Sequence, residues 1–463
     1  MNNEIKMDKS QIRDILPPTT RNFETRIGAI EEKIAWLYDH VAAIEEKQAC
    51  YNAKAASLAE YNLFASLETL RNSYCKTPRT RILLAGWYGA ENYGDELMMH
   101  TILNYLPKDI IENTTVLLWN NDEYPLTKLD SRVNVLHYPP TVEGIRTLSE
   151  LFDVLIWGGG AILDDTQFDF CAANYSTGNL FIHLSKQMLA LDKKVFCVSL
   201  SSNNSIKNKC YKKELQSVID NSSYFSVRDP YSLNTLSDAG INVSNVRLDG
   251  DIVFANKELR KLSERTNAPK LNSSNRTIGL VLHCFDELEG FNYQLLNDVA
   301  SLEAPSNESN CTILLIPFYN EHKHDGWHLE QLACRFTNSQ PDHLTIHVAS
   351  YEDDLARTPL LDCDFVLSCR YHASLIAGCL HIPFVAICND KHSHYPNKTK
   401  YLLEQFFPKH NWNDSLLSVS NYSKNKLEES MKQAQEHIVD NQILENLFRT
   451  ESESLKAIFE LTK

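Results

Sequence analysis

Short apolar runs, each closed by Gly, Ser, Asn, Asp or Arg and followed by a helical stretch, recur along the chain from residue 81 onward. Ile82–Ala85, Thr115–Trp119, Val133–His137, Asp153–Trp157, Val195–Leu200 and Tyr224–Val227 read as buried strands, because each is too short to be a helix and is bounded by turn residues. A polar stretch, Asn256–Arg276, reads as a linker carrying a short helix, and a second set then opens with Thr277–His283. It continues through Thr312–Phe318, Leu344–Val348, Phe365–Leu367 and Phe384–Ile387. Strands alternating with helices predict parallel sheets built from repeated βα units. Two such sets predict an α/β protein of two Rossmann-like domains facing a cleft, with strand-end loops of both lining it. The expected division is a helical segment over 1–78, a first domain over 79–255 and a second, with C-terminal helices from Ser423 to Lys463, over 256–463.

The N-terminal pattern differs. Phe23, Ile27, Ile30, Ile34, Leu37, Val41 and Ile44 alternate steps of four and three, which draws a seam along one side of a helix. Two uses fit such a seam: self-association through residues 23–44 as a coiled coil, or packing on the chain's own body. Helix continues over 51–75, and Lys76-Thr77-Pro78 ends it.

Composition narrows the classes. A chain of 463 residues has room for about three domains, or two and an appendage. Its formal charge of −15 argues against a dedicated nucleic-acid binder, which needs a basic surface to neutralise phosphates. A local arginine cluster is still compatible with an anionic small substrate. No basic-then-apolar leader and no run approaching the ~20 apolar residues of a membrane span is present. The twelve cysteines lack CxxC pairing and read as reduced thiols of a cytoplasmic protein. The pairs His322/His324 and His392/His394 have no third ligand at an informative spacing and read as solvated loop histidines, so neither metal nor cofactor is expected.

Candidate chemistry gathers where strands hand over to helices. In Asp364–Pro383, Arg370 and His372 stand between a strand and a helix rich in small residues, a place where helix N-termini favour anions. A fixed cation and a titratable imidazole there suit a phosphate or carboxylate; equally, Arg370 could pair with a carboxylate and His372 cap the helix. Arg228 repeats the geometry, ahead of a helix with Pro230 at its first position. After the first strand comes a glycine-punctuated loop, Gly86–Glu96, where Gly89 and Gly94 allow close approach and Asn92, Asp95 and Glu96 offer polar contacts, or the last two merely cap the next helix. Gly158, Gly159 and Gly160 read as a bare loop leading to Asp165. Neither loop has the GxGxxG or Walker spacing.

The ordered motifs GWYGAENYGDEL at 86–97, WGGGAILDD at 157–165, FSVRDPYSLNTLSDAGI at 225–241, LLIPFYNEHKHD at 314–325 and DFVLSCRYHASLIAGCLHIPFVAI at 364–387 resemble the polysaccharide pyruvyl transferase family over about residues 81–405. The resemblance implies a GT-B-like fold and transfer of an enolpyruvyl skeleton from phosphoenolpyruvate to two hydroxyls of a saccharide, whether lipid-linked, polymeric or a nucleotide sugar, giving a pyruvate ketal. It assigns donor binding to Arg228, Arg370, Tyr371 and His372, with Arg370 and His372 catalytic. It gives the acceptor side of the cleft to Gly89, Asn92, Gly94, Asp95, Glu96, Gly158, Gly159, Gly160, Asp165 and His322. The chain departs from the family pattern at Ser201-Ser202-Asn203-Asn204, where a glycine-containing loop is usual, and at Ala161 and Ile162. Two other readings stay open at this stage: a GT-B glycosyltransferase using a nucleotide sugar, and a non-catalytic assembly protein. The expected location is the cytoplasm or the inner membrane face.

Overall fold

The computed structural model describes residues 63–72 and 80–461, apart from 109, 120–128, 139–140, 167, 169–176, 203, 267–274, 304–309, 321–323, 337–343, 391–394 and 410–415. The seam at 23–44 lies outside the described residues. Helix α1, residues 63–72, sets Leu63, Leu67 and Leu70 on one face, and all three are buried with Leu83 and Phe152 in one apolar cluster.

The first sheet contains β1 (Ile82–Ala85), β2 (Thr114–Leu118), β3 (Asn134–His137), β4 (Val154–Leu163), β5 (Lys194–Ser202), β6 (Tyr224–Val227) and β7 (Arg247–Leu248). Between them run α2 (Tyr93–Leu103), α3 (Val142–Leu151), α4 (Thr177–Ala190), α5 (Lys209–Asn221) and α6 (Pro230–Asp238). Helix α7 (Lys257–Arg265) leads to the second sheet: β8 (Asn275–Val281), β9 (Asn310–Leu315), β10 (Leu344–Val348), β11 (Phe365–Ser368), β12 (Phe384–Cys388) and β13 (Leu417–Ser418). Its helices are α8 (Glu289–Glu303), α9 (His324–Phe336), α10 (Tyr371–Cys379), α11 (Tyr395–Phe406), α12 (Lys424–Glu436) and α13 (Asn441–Leu461).

The sheet orders are β3-β2-β1-β4-β5-β6-β7 and β10-β9-β8-β11-β12-β13, with parallel pairing between all these neighbours. Strands β1, β2, β11 and β12 are buried along their whole length, which explains why they read as unbroken apolar runs. Each order reverses once, between β1 and β4 and between β8 and β11. Crevices at the carboxyl ends of such reversals are where ligands bind in open α/β sheets. One continuous core joins the two halves, with Ile82, Met98 and Ile102 in the same cluster as Val281, Phe318, Ile376 and Phe406. Among the described residues no helix is long and apolar enough to cross a membrane.

Three local readings change. The three glycines do not form a loop: β4 runs through them to Leu163, and Ser201 and Ser202 likewise stay within β5. Gly159 and Gly160 have φ of +73° and +85°, so the strand is kinked there rather than ended, and its register against β5 shifts after Gly160. Helix α2 starts at Tyr93, so Gly94, Asp95 and Glu96 occupy its first turn instead of the preceding loop. Finally, α13 returns to the first half, burying Leu444, Phe448, Leu455 and Ile458 in the core that holds Phe254. Its Glu451 accepts the Gly250 N–H at 2.7 Å, and its Ser452 Oγ accepts the Tyr105 hydroxyl at 2.6 Å.

Candidate active site

His372 stands in the first turn of α10, directly after the β8/β11 reversal, and Gly94 in the first turn of α2, after the β1/β4 reversal. The two turns meet. A Cβ built on Gly94 would lie 1.8 Å from His372 Nδ1, so only a glycine lets the imidazole lie against this turn. The other ring nitrogen, Nε2, is 3.4 Å from Asp251 Oδ2 and 3.5 Å from Arg228 Nη1. Arg228 Nη1 donates to the same Asp251 oxygen at 2.9 Å, and its guanidinium lies 4.8 Å over the Tyr371 ring. Arg228, Asp251 and His372 thus form one mutual contact between the domains, with Arg228 and Asp251 almost wholly buried.

The first domain shapes this cluster from behind. Asp251 Oδ1 caps the turn Ile252–Ala255 by accepting the Val253 N–H at 3.0 Å. Ser199, at φ +56° inside β5, donates its hydroxyl to Gly250 O and accepts the Ile252 N–H, at 2.7 and 3.1 Å. Those bonds hold the backbone on both sides of Asp251 and offset the left-handed conformation of Ser199. Asp229, next to Arg228, caps α6 through Ser232 and lies 3.9 Å from the Arg228 Nε. Despite these partners, the buried Nε of Arg228 makes no hydrogen bond among the described residues.

Two further groups titrate abnormally here. Burial pushes the Asp95 carboxyl up to about 6, against the opposing pull of His372 and Arg228. Burial, reinforced by Arg228, pushes the Lys398 amine of α11 down to about 7. Lys398 Nζ reaches across to Ser201 Oγ at 3.3 Å, tying α11 to β5. Burial would also raise Asp251, but the His372 imidazole and the Arg228 guanidinium outweigh it and hold that carboxyl well below its usual range.

Arg370 pairs with a carboxylate, one of the two readings its position left open. Its Nη2 donates to both oxygens of the fully buried Asp325 at 3.0 Å, and its Nε to Leu282 O at 3.3 Å. Asp325 in turn accepts the N–H groups of Phe318 and Tyr319, at 3.1 and 2.8 Å. That loop pairs with the first domain: Tyr93 N–H donates to Phe318 O, Asn92 bridges to Tyr319, and Asn320 holds Glu91 by backbone and side chain. Arg370 therefore fixes the loop that seats α2 against His372, and Nη1 is the guanidinium nitrogen outside these bonds.

The predicted acceptor residues divide. Gly94 and Asp95 belong to the cluster, and Gly160 borders it, its Cβ position being 3.0 Å from Asp95 Oδ1. Gly158 and Gly159 are instead where α2 and the first loop press on β4: added Cβ atoms would strike Ile102 and Met98, and Gly158 O accepts the Tyr88 hydroxyl. Glu96, with no exposed surface, accepts the Gly89 N–H at 2.7 Å and so braces the 86–92 loop from inside. Asp165 accepts the N–H groups of Lys207 and Asn208 and fixes the approach to α5. Asn92 serves the interdomain bridge. His322, with His392 and His394, lies outside the described residues; His324 lies 3.4 Å from Asp325. Sequence reasoning missed Asp229, Asp251, Ser199 and Lys398. Asp251 was visible as the end of an Asp-Gly-Asp turn; Lys398 carried no local signal.

A two-domain, GT-B-like protein with its polar cluster at the facing switch points is the class these features define. The solved UDP-GlcNAc 2-epimerase from Neisseria meningitidis, bound to UDP-GlcNAc, has the same architecture at 12% identity, a TM-score of 0.51, and coverage of 82% of this chain and 100% of that one. The UDP-GlcNAc 2-epimerase from Methanocaldococcus jannaschii aligns at 12% identity and a TM-score of 0.49 over 83% of this chain and 99% of that one. Comparison with curated proteins gave no match. The sequence profile of the family described as polysaccharide pyruvyl transferase matches residues 92–391, and the chain belongs to that family.

Proposed function

We propose that this enzyme transfers the enolpyruvyl skeleton of phosphoenolpyruvate to two hydroxyls of a saccharide, a cell-surface polysaccharide or its precursor, forming a pyruvate ketal. The observation that carries the reading is the buried Arg228–Asp251–His372 contact, in which a guanidinium keeps an unsatisfied Nε. A buried cation with a spare donor suits an anion delivered dry into the cleft, where guanidinium and carboxylate or phosphate bind through paired N–H bonds.

In the proposed reaction His372 delivers a proton to C3 of the donor, and C2 becomes an oxocarbenium-like electrophile. One saccharide hydroxyl adds to C2, the C2–O bond to phosphate breaks, and the second hydroxyl closes the ring. Of the two hydroxyl protons released, one balances the new methyl group and one leaves with inorganic phosphate. Asp251 orients the imidazole through Nε2 and stabilises its charged form, while Arg228 holds the donor. Arg370 acts chiefly through Asp325, as the brace of the interdomain loop. The proposed location of the reaction is the cytoplasm or its membrane face.

The test is phosphate release from phosphoenolpyruvate with a cell-wall saccharide fraction, followed by ³¹P NMR. Replacing His372 by Ala should leave donor binding in place and lower turnover by roughly 10²–10⁴. Wild-type turnover in that variant would remove His372 from the mechanism.

A further inference from the structure

Beyond the cleft, the carboxyl end of the second sheet carries two large aromatic side chains that water should not favour. Phe285, in the loop after β8, is 41% exposed, and Trp327, in the first turn of α9, is 55% exposed. They line one cavity of about 200 Å³. Neither ring is loose: His283 stacks on Phe285 at 5.5 Å, and His328 meets Trp327 edge-on at 4.8 Å. Asn292 of α8 lines the same cavity. It is 6% exposed and donates Nδ2 to His283 O at 2.9 Å, while its buried Oδ1 has no donor among the described residues. An acceptor left unsatisfied in this way is costly unless a ligand or water supplies the hydrogen.

We infer that this cavity is a saccharide subsite, which takes one neutral sugar ring of the acceptor on the Trp327 and Phe285 faces and a hydroxyl on Asn292 Oδ1. The inference rests on the proposed pyruvyl transfer to a saccharide and adds where the acceptor is held. Charge decides against the competing occupant, a nucleoside diphosphate. The lining contributes Asp286 and Glu289 against a single arginine, Arg335, which is already ion-paired with Glu289. Among the described residues, then, the arginine and carboxylates of the lining leave no net positive charge to draw a diphosphate. Carboxylates and an amide oxygen are the partners that sugar hydroxyls use, and aromatic faces cover their apolar C–H surfaces. Size agrees, since the volume falls below the roughly 300–1,000 Å³ of sites for larger ligands. The subsite also touches the catalytic frame: Cys284 lines it and lies beside Asp325, the partner of Arg370.

The test is an NMR titration of the full chain with the methyl glycosides of glucose, galactose, mannose, N-acetylglucosamine and N-acetylmannosamine. It follows the Trp327 indole N–H, assigned as the resonance lost in Trp327→Phe. The expected result is a saturable shift with at least one glycoside, none with uridine diphosphate, and a roughly tenfold weaker affinity in Phe285→Ala. Exposure of both side chains means that these variants keep the fold. Silence towards every glycoside, or a shift with uridine diphosphate, overturns the subsite. A parallel phosphoenolpyruvate titration separates the two claims. Donor binding without glycoside binding refutes the subsite alone, whereas glycoside binding without donor binding refutes the pyruvyl reading.

Discussion

A guanidinium as deeply buried as that of Arg228 must be balanced, and Asp251 balances it at 2.9 Å while Nε is left over. Breaking such a pair from one side leaves an uncompensated buried charge, worth about 3–5 kcal/mol. Asp251→Ala should therefore lower Tm in a melting experiment as well as activity, whereas His372→Ala should spare Tm. Asp95 and Lys398 make the same region sensitive to pH, and the signs agree. Above about 6 Asp95 becomes anionic, and above about 7 Lys398 loses its proton, so the cleft turns steadily more negative as pH rises. Sulfate, whose own charge is constant over this range, should bind best near pH 5.5 and weaken by roughly tenfold or more by pH 8. Lys398→Arg should flatten the upper part of that curve in calorimetric titrations, and Asp95→Asn the lower part. A pH-independent affinity in the wild type would separate both residues from anion binding.

At the scale of the elements, the site depends on two helix first turns that touch. Gly94→Ala makes this plain, because in an ordinary helix that change stabilises by about 0.5–1 kcal/mol. Here the added methyl must displace His372, so we expect turnover to fall at least tenfold while circular dichroism stays native; undiminished turnover would show that the imidazole is free to move. The Arg370–Asp325 pair works at this scale too. Arg370→Ala strands a buried carboxylate that organises Phe318 and Tyr319, so its main effect should be a loss of stability, measurable by urea unfolding. The alternation of apolar runs and helical stretches was enough to lay out both sheets except for the two-residue edge strands β7 and β13, which are too short to show a pattern. It was not enough for the glycines of β4, because a strand kinked at positive φ and a tight loop have the same composition. Glu96 and Asp165 looked like ligand contacts because a carboxylate that braces a loop and one that meets a substrate look the same in one dimension. Lys398 was invisible for a related reason: its neighbours Ser201, Asp95 and Asp229 come from distant segments of the chain.

For the molecule as a whole, the last helix closes the circuit. Glu451 of α13 accepts the Gly250 N–H beside Asp251, so the last helix supports the carboxylate that pairs with Arg228 and His372. Burial pushes the Glu451 carboxyl up to about 8, with Asp249 and Asp251 adding to the shift. A carboxyl whose folded value lies above its unfolded one stabilises fully below the unfolded value, near 4.5, and loses that contribution as pH rises through 8. Tm should accordingly decline between pH 5 and 8.5, and Glu451→Gln, which can still accept from Gly250, should flatten the decline. The central claim is that phosphoenolpyruvate binds in the interdomain cleft on Arg228, and calorimetric titration of the purified chain tests it most directly. The account predicts saturable binding of phosphoenolpyruvate to the wild type, retained in His372→Ala and lost in Arg228→Met. Binding unchanged by the arginine substitution, or heat released only with a nucleoside diphosphate, would contradict it.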